Sequence, residues 1–406
     1  MKYIVVLGDG MADEPIEELG GKTPLEYAKT SAMDALAKKS ELGMVATIPE
    51  GMSPGSDTAN LAVLGYNPKE YYTGRSPLEA LSIGVKMNDT EIAIRCNLVT
   101  LSEDEVPYSE RTMLDHSSSE ISTEDAAILL NAVKEELENE IFQYYVGTSY
   151  RHLTIWKDGK VIALTPPHDI LGKKISEYLP MRSNYDEDAK LLQNMMERSY
   201  EILNNHPLNV KRAKQGLNKA NSIWFWGAGT KPNLVPFLSK FQKKGVMISA
   251  VDLLKGIAVG AEMKVVVVEG ADGTLHTNYE GKARAALKEL LYKNQDFVYI
   301  HVEAPDEMGH QGNTQAKIEA IERIDEKIVK VITEEMEKSG EDYRMLILPD
   351  HPTPIRLRTH TANPVPYLLY DSTKRINKDQ VYTEKEASKN HILVKEGYTL
   401  IQKLFS

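Results

Sequence analysis

At 406 residues with 42% hydrophobic side chains, the chain can bury a large core and is long enough for two domains. A net charge of -11 leaves no basic surplus to neutralise a nucleic-acid backbone or an anionic leaflet, so neither nucleic acid nor membrane is an expected partner. A single cysteine, Cys96, excludes an internal disulfide or a thiolate metal cage, and the N-terminal apolar run meets Asp9 before a signal-peptide core develops; the expected compartment is the cytoplasm.

In chain order, YIVVLG at 3–8 reads as a buried strand running into Asp9. TPLEYAKTSAMDALAKK comes next as a helical stretch, with Thr23 as N-cap and Pro24 at the first helical position, where a missing N–H is harmless. GGKT at 20–23 resembles the end of a phosphate-binding P-loop, but Ile16 stands where the earlier glycine is required and Pro24 comes at once after it; it reads as a helix entry. In GMSPGSDTANLAVLGY, Pro54 and Gly55 form a tight turn that places Ser56 at the start of a helix.

From about 88 to 183 the pattern changes to short alternating strands, IAIRCNLVTL and YRHLTIWKDGKVIAL, around one helix, EDAAILLNAVKEELE. That segment reads as a smaller α+β domain inserted into the larger one, with linkers near VKMND and MRSNYDED. Beyond it come the strand-like runs SIWFWG (222–227), GVMISAV (245–251), KVVVVEG (264–270), FVYIHVEA (297–304) and RMLILP (344–349), separated by helices such as TQAKIEAIERIDEKIVKVITEEMEK. Continuous apolar runs suit strands covered on both faces, so the expected fold is α/β, a mostly parallel sheet sandwiched by helices. Residues 1–87 and 184–406 would form this core, and 88–183 the insert.

Three strands end in groups able to bind a cation: YIVVLG in Asp9, YIHVEAP in Asp306 with His310 one turn later, and MLILP in Asp350 and His351. In an open parallel sheet, ligands bind outside the carboxyl ends of strands, so groups distant in sequence can meet there. Taken singly, each aspartate would be an ordinary helix cap or turn former. With His360 added, three carboxylates and three imidazoles suffice for two divalent ions, and this donor set suits manganese, zinc, cobalt or magnesium better than copper or an iron–sulfur cluster. Ser56, at a helix N-terminus that favours an anion, becomes a nucleophile if a metal ion touches its hydroxyl.

GDGMAD, PGSDTANLAVLGY, HVEAPDEMGHQG, LPDH and THTANPVP resemble, in order, motifs of the alkaline phosphatase superfamily, and specifically of its archaeal-type cofactor-independent phosphoglycerate mutases. SYRHL, PPHDILGK and WFWGAGTKP extend the resemblance over nearly the whole chain. It implies an alkaline-phosphatase-like core in which Asp306, His310 and His360 hold one metal ion while Asp9, Asp350, His351 and the Ser56 hydroxyl hold the other. Two divalent ions, manganese first, would be the cofactors, with no requirement for 2,3-bisphosphoglycerate. The implied reaction moves a phosphoryl group between the 2- and 3-positions of glycerate through a phosphoserine, and the insert would close over the small phosphorylated substrate. A homo-oligomer is left open.

Arg95, Arg151 and His152 in the insert, with Lys231, Lys255 and Lys282, are candidate anion binders, although for each lysine a solvated surface charge is an equal reading. One departure from the resemblance is Glu120 in LDHSSSEIST, where many relatives carry arginine or histidine. A carboxylate facing phosphoglycerate would repel it, so either Glu120 points away or the acceptor differs, as in a homoserine kinase-like enzyme. A metal-holding regulatory or structural protein is a third reading, which the presence of Ser56 beside the ligands disfavours.

Overall fold

The computed structural model describes residues 1–180 and 187–406. Among these, the strands are β1 Lys2–Gly8, β2 Ser40–Val45, β3 Glu91–Leu101, β4 Met113–Asp115, β5 Phe142–Thr148, β6 Arg151–Lys157, β7 Ser222–Thr230, β8 Gly245–Ile248, β9 Lys264–Val265, β10 Phe297–Val302, β11 Tyr343–Leu348, β12 Val365–Asp371 and β13 Leu393–Val394. No helix among the described residues is long and apolar enough to cross a membrane.

Contacts divide the chain into two compact units, Met1–Tyr72 with Asn233–Ser406, and Thr73–Pro232. The first is the expected α/β layer structure. Its eight-stranded sheet has the order β13-β2-β12-β11-β1-β10-β8-β9. β1 lies between β10 and β11 and is parallel to both, while β12 is antiparallel to its neighbours β11 and β2. Ile4, Val5, Val6 and Leu7 have no exposed surface, as a central strand covered on both faces requires. On one face Ile4, Val6, Val298, Ile300 and Ile347 pack against Met33, Ala283, Leu290, Ile321 and Ile324 of the flanking helices.

Two details of the helices differ from expectation and meet at Asp325. The stretch beginning at Thr23 is two short helices, Pro24–Tyr27 and Ser31–Ala37, although Thr23 does cap the first through Glu26 N–H at 3.0 Å. The second start is set by Asp325, whose carboxylate accepts the N–H groups of Ala32 at 3.1 Å and Met33 at 2.7 Å. Asp325 itself sits where the long helix from Thr314 to Ser339 widens into a π turn, Asp325–Val329.

The second unit carries a five-stranded sheet in which β4, β6 and β7 all pair with β3, and β5 pairs with β6, every pair antiparallel. This unit is wider than the 88–183 span expected for the insert. SIWFWG accounts for part of the difference: as β7 it aligns Phe225 with Cys96 and Ile223 with Leu98 rather than joining the parallel sheet. Its apolar residues face Leu192 and Met196 of the helix Glu187–Leu203, so it is covered on both faces within this smaller unit. KVVVVEG contributes only Lys264–Val265 as strand, and Val267 is 79% exposed. The linker MRSNYDED and the boundary at 183 fall on or beside residues 181–186, which lie outside the described residues.

Candidate active site

β1, β10 and β11 are adjacent, parallel and level at their carboxyl ends, with Gly8 opposite Val302 and Leu7 opposite Leu348. The residues just beyond them are therefore delivered to one edge of the sheet. Asp9 leaves β1, Asp350 and His351 leave β11, and Asp306 with His310 lies on the helix Ala304–Gln311 just after β10. Close approach of these loops requires Gly10, whose φ is +60°, because a Cβ there would lie 2.5 Å from Thr353 Oγ1 and 2.6 Å from Asp306 Oδ1.

Two triads of donor atoms form, each with all its atoms within 4.8 Å of one another: Asp306, His310 and His360, and Asp9, Asp306 and His351. In the first, His310 Nε2 is 3.2 Å from Asp306 Oδ2 and His360 Nε2 is 3.4 Å from Asp306 Oδ1. In the second, His351 Nε2 is 3.6 Å from Asp9 Oδ1; Asp350, which belongs to neither triad, places Oδ2 3.5 Å from the same nitrogen. Ser56 Oγ, on the first residue of the helix Ser56–Val63, joins the second group at 3.3 Å from Asp9 Oδ2 and 3.2 Å from His351 Nε2. The His351 and His360 rings are 4.0 Å apart, so the two groups adjoin.

The electrostatics call for positive charge. Burial, and then the neighbouring carboxylates Asp350, Asp306 and Glu303, hold Asp9 well above the usual carboxylate range. Asp9 Oδ1 is buried with no hydrogen-bond partner. Burial acts the same way on Asp306, but hydrogen bonds from His310 and His360 outweigh it and keep that carboxyl well below the usual range. The bond to Asp306 raises His310 to about 9, whereas burial lowers His351. A divalent cation fits this set of oxygens and imidazoles, and the orphaned Asp9 oxygen is an available position for it.

Three neighbours of the site escape a reading of the sequence. His301, fully buried in β10, places Nε2 2.9 Å from Asp9 Oδ2 and Nδ1 3.2 Å from Ser249 Oγ. Its one signal is a lone histidine inside an otherwise apolar strand. Thr353 Oγ1 hydrogen-bonds Asp306 and lies 3.3 Å from His351 Nδ1. The fully buried Lys317 donates to the Thr353 carbonyl at 2.8 Å and to Asp13 Oδ2 at 2.7 Å, tying the loop after β1 to the loop after β11.

The candidate anion binders are placed variously. Lys282 is 1% exposed and donates to the His301 carbonyl at 3.0 Å; burial lowers its pKa to about 8. Lys255 pairs with Asp252 at 3.1 Å, and Lys231 with Asp89 at 3.0 Å, both as surface ion pairs. His152 is buried among the residues of the second unit, its Nδ1 accepting from Gly147 N–H at 3.1 Å, and burial depresses it to about 4; a neutral ring in that position offers an anion no charge. Glu120 is exposed and ends a run of three left-handed residues, Ser118, Ser119 and Glu120.

Arg95 and Arg151 belong to a continuous basic and aromatic cluster on the second unit. Glu79 bridges Arg75 at 3.0 Å and Arg95 at 2.7 Å, and the Arg95 guanidinium lies 4.5 Å over the Trp226 ring. Trp226 meets His168 at 5.4 Å, His168 meets His116 at 6.0 Å, His116 meets Tyr150 at 5.7 Å, and Arg151 covers Tyr150 at 4.8 Å. His168 is lowered first by burial; Asp169 opposes this, while His116, Arg95 and Arg75 add to it. Arg75, His116 and His168 stand in loops and helix starts, where no periodicity singles them out.

A family model described as 2,3-bisphosphoglycerate-independent phosphoglycerate mutase matches residues 37–209. The chain is 47% identical over 404 residues to a probable 2,3-bisphosphoglycerate-independent phosphoglycerate mutase of Geobacter sulfurreducens, covering 99% of each chain. It is 44% identical over 406 residues to the enzyme of that name from Methanothrix thermoacetophila, covering 100% of each. Among solved structures, a Pyrococcus horikoshii protein superposes with a TM-score of 0.80 at 30% identity, covering 99% of this chain and 96% of that one. The cofactor-independent phosphoglycerate mutase of Thermoplasma acidophilum superposes with a TM-score of 0.67 at 25% identity, covering 100% of this chain and 99% of that one.

Proposed function

The chain belongs to the 2,3-bisphosphoglycerate-independent phosphoglycerate mutase family, and from that premise we propose that it interconverts 3-phosphoglycerate and 2-phosphoglycerate through a phosphoserine at Ser56. Its activity is that of a phosphoglycerate mutase, an isomerase, and the substrate is a small phosphorylated acid. The alternative amino-acid acceptor is not favoured by these relatives. The observation that carries the reading is the position of Ser56 Oγ, between Asp9 and His351 and beside the triad of Asp306, His310 and His360.

On this reading Asp9, Ser56, Asp350 and His351 would hold one divalent ion and Asp306, His310 and His360 a second, manganese being the first choice for an oxygen and imidazole set. When bound, such ions lower the pKa of the Ser56 hydroxyl and neutralise the phosphoryl oxygens. Ser56 gives up its hydroxyl proton as Oγ bonds to phosphorus, the bond from phosphorus to the glycerate oxygen breaks and that oxygen takes up a proton, and the same steps in reverse return the phosphoryl group to the other glycerate oxygen. The N-terminus of the helix Ser56–Val63 favours the anion at that point. His301 holds Asp9 Oδ2, leaving Oδ1 for the cation.

On the second unit, Arg75, Arg95 and Arg151 gather positive charge suited to an anion, with Glu79 holding two of these arginines in place. We place the enzyme in the cytoplasm, where its one buried thiol needs no partner. The test is direct: protein stripped of metal should be inactive on 3-phosphoglycerate, recover with manganese, and yield Ser56 phosphopeptide when quenched during turnover. Full activity without metal, or phosphate on another residue, rejects the reading.

A further inference from the structure

Asn60 lies one helical turn after Ser56 and is completely buried. Its amide uses both donors and its oxygen: Nδ2 donates to the Ser56 carbonyl at 2.8 Å and to Asp350 Oδ2 at 2.9 Å, and Oδ1 accepts from the Tyr299 hydroxyl at 2.5 Å. Two acceptors on one side can be served only by the NH2 group, so the oxygen must face Tyr299 and the phenol must be the donor. The two acceptors fix which way the amide points, and the phenol, donating to the oxygen that remains, holds it there.

The consequence reaches both halves of the site. Asp350 Oδ1 accepts the N–H of Gly10 at 3.0 Å and of His351 at 2.8 Å, and Oδ2 accepts from Asn60. The carboxylate is thereby held at both oxygens, with its orientation set before any cation arrives. The same amide pins the first turn of the helix that carries the nucleophile. Tyr299, itself fully buried in β10, ties that turn to the central sheet.

We propose that Asn60, oriented by Tyr299, is the positioning residue that sets the Ser56 nucleophile in register with Asp350. The proposal rests on the roles given above to Ser56 and Asp350. Asn60 touches no reacting atom; it acts through the two residues that do. Asparagine is suited to the task because its amide donates twice and accepts once from a single short arm. Aspartate of the same shape would present an oxygen to Asp350, and alanine would leave the carboxylate without its third hydrogen bond.

The test is Mn2+ titration of the whole metal-stripped chain, monitored by electron paramagnetic resonance of the free ion, together with steady-state kinetics on 3-phosphoglycerate. Wild type, Asn60→Ala, Asn60→Asp and Tyr299→Phe are compared well below their melting temperatures. Mn2+ affinity should fall on the order of ten- to a hundredfold in Asn60→Ala and further in Asn60→Asp. In Asn60→Ala kcat should fall while KM stays within about twofold of wild type. Tyr299→Phe, which keeps the ring and loses one hydroxyl, should show a smaller loss in the same direction, and it carries the test if the Asn60 variants do not fold. Wild-type affinity and kcat in Asn60→Ala or Tyr299→Phe, with only the melting temperature lowered, overturns the proposal and leaves Ser56 and Asp350 in their roles. A wild type that binds no Mn2+ and forms no phosphoserine overturns those roles, and the Asn60 proposal with them.

Discussion

Nε2 of His310 stands 2.9 Å from Nε2 of His360. Two bare imidazole nitrogens at that separation repel, so either a proton or a cation must lie between them. In the metal-free chain it is a proton, and the hydrogen bond to Asp306 raises His310 to about 9. A metal ion entering this triad has to displace that proton. Metal affinity should therefore weaken as pH falls from about 9 toward neutrality, with release of about one proton per ion at neutral pH. Calorimetric titration with Mn2+ in buffers of different ionisation enthalpy reads both quantities, and an affinity independent of pH over that range would contradict the assignment.

Ser56→Ala should fold normally and keep much of its metal affinity, because the hydroxyl is one donor among several. It should lose the transfer step, by at least about a thousandfold in kcat. Mass spectrometry of quenched turnover mixtures should find phosphate on Ser56 in the wild type and none in the variant. An active alanine variant would refute the phosphoserine route.

Asp350→Asn should be far more damaging than Lys330→Gln. Both Asp350 oxygens accept from buried or part-buried donors, two backbone N–H groups on one and Asn60 on the other. An NH2 group in either place meets a donor with a donor, which costs on the order of 2 kcal/mol, besides removing the negative charge. Lys330 is exposed, and its replacement should stay within about 0.5 kcal/mol of wild-type stability. Melting curves and mutase assays of the two variants side by side check this, and equal behaviour would remove Asp350 from the site.

Glu120→Gln should leave the apparent affinity for 3-phosphoglycerate unchanged or slightly improved. The side chain is exposed and sits at the end of a left-handed turn, so it is solvated rather than paired with a substrate ammonium. Wild type should show mutase activity and no ATP-dependent phosphorylation of homoserine. Homoserine kinase activity in the wild type that disappears in the variant is the outcome that would reverse this.

Glu384 should make stability fall as pH rises. Burial raises its pKa to about 7, against the hydrogen bonds from Thr23 and the Asp13 N–H and the charge of Lys317. Because the folded value lies above the unfolded one, the stabilising contribution is complete below pH 4.5 and is lost as pH rises through about 7. Glu384→Gln should flatten that part of the profile and gain on the order of 2 kcal/mol relative to wild type above pH 7. Melting temperatures of both proteins across this range measure it; parallel curves would count against the shift.

Much of the candidate site is legible in the sequence because the strands that carry it are continuous apolar runs, and in a parallel sheet the residue just past the end of such a strand has a predictable place. Asp9, Asp306 and Asp350 stand out in that way. His360 is harder, since the loop TPIRLRTHT has no regular geometry, and residue type alone marks it. Asn60 and Lys317 are invisible for a different reason. Each is an ordinary polar residue on a helix, and only the fold shows that its side chain reaches a strand end or loop far away in the chain. SIWFWG misleads because a buried strand reads alike whether its partners are parallel or antiparallel. Which sheet it joins is decided by β3, whose free edge lies within the same unit.

The placement of β1 between β10 and β11 also bears on how the protein is made. Asp9 leaves the ribosome long before His301, which holds its carboxylate and comes 292 positions later. At ordinary rates of synthesis that interval is about 15 to 60 seconds. Throughout it the wholly apolar segment Ile4–Leu7 has no sheet partner, while all of Thr73–Pro232 is already complete before it ends. A nascent chain thus cannot assemble the edge that carries the candidate site early, and a product cut short before β11 lacks both the second neighbour of β1 and Asp350. Until β10 and β11 have emerged, partial chains carry an unpaired hydrophobic strand, open to the wrong partners, and an incomplete candidate site.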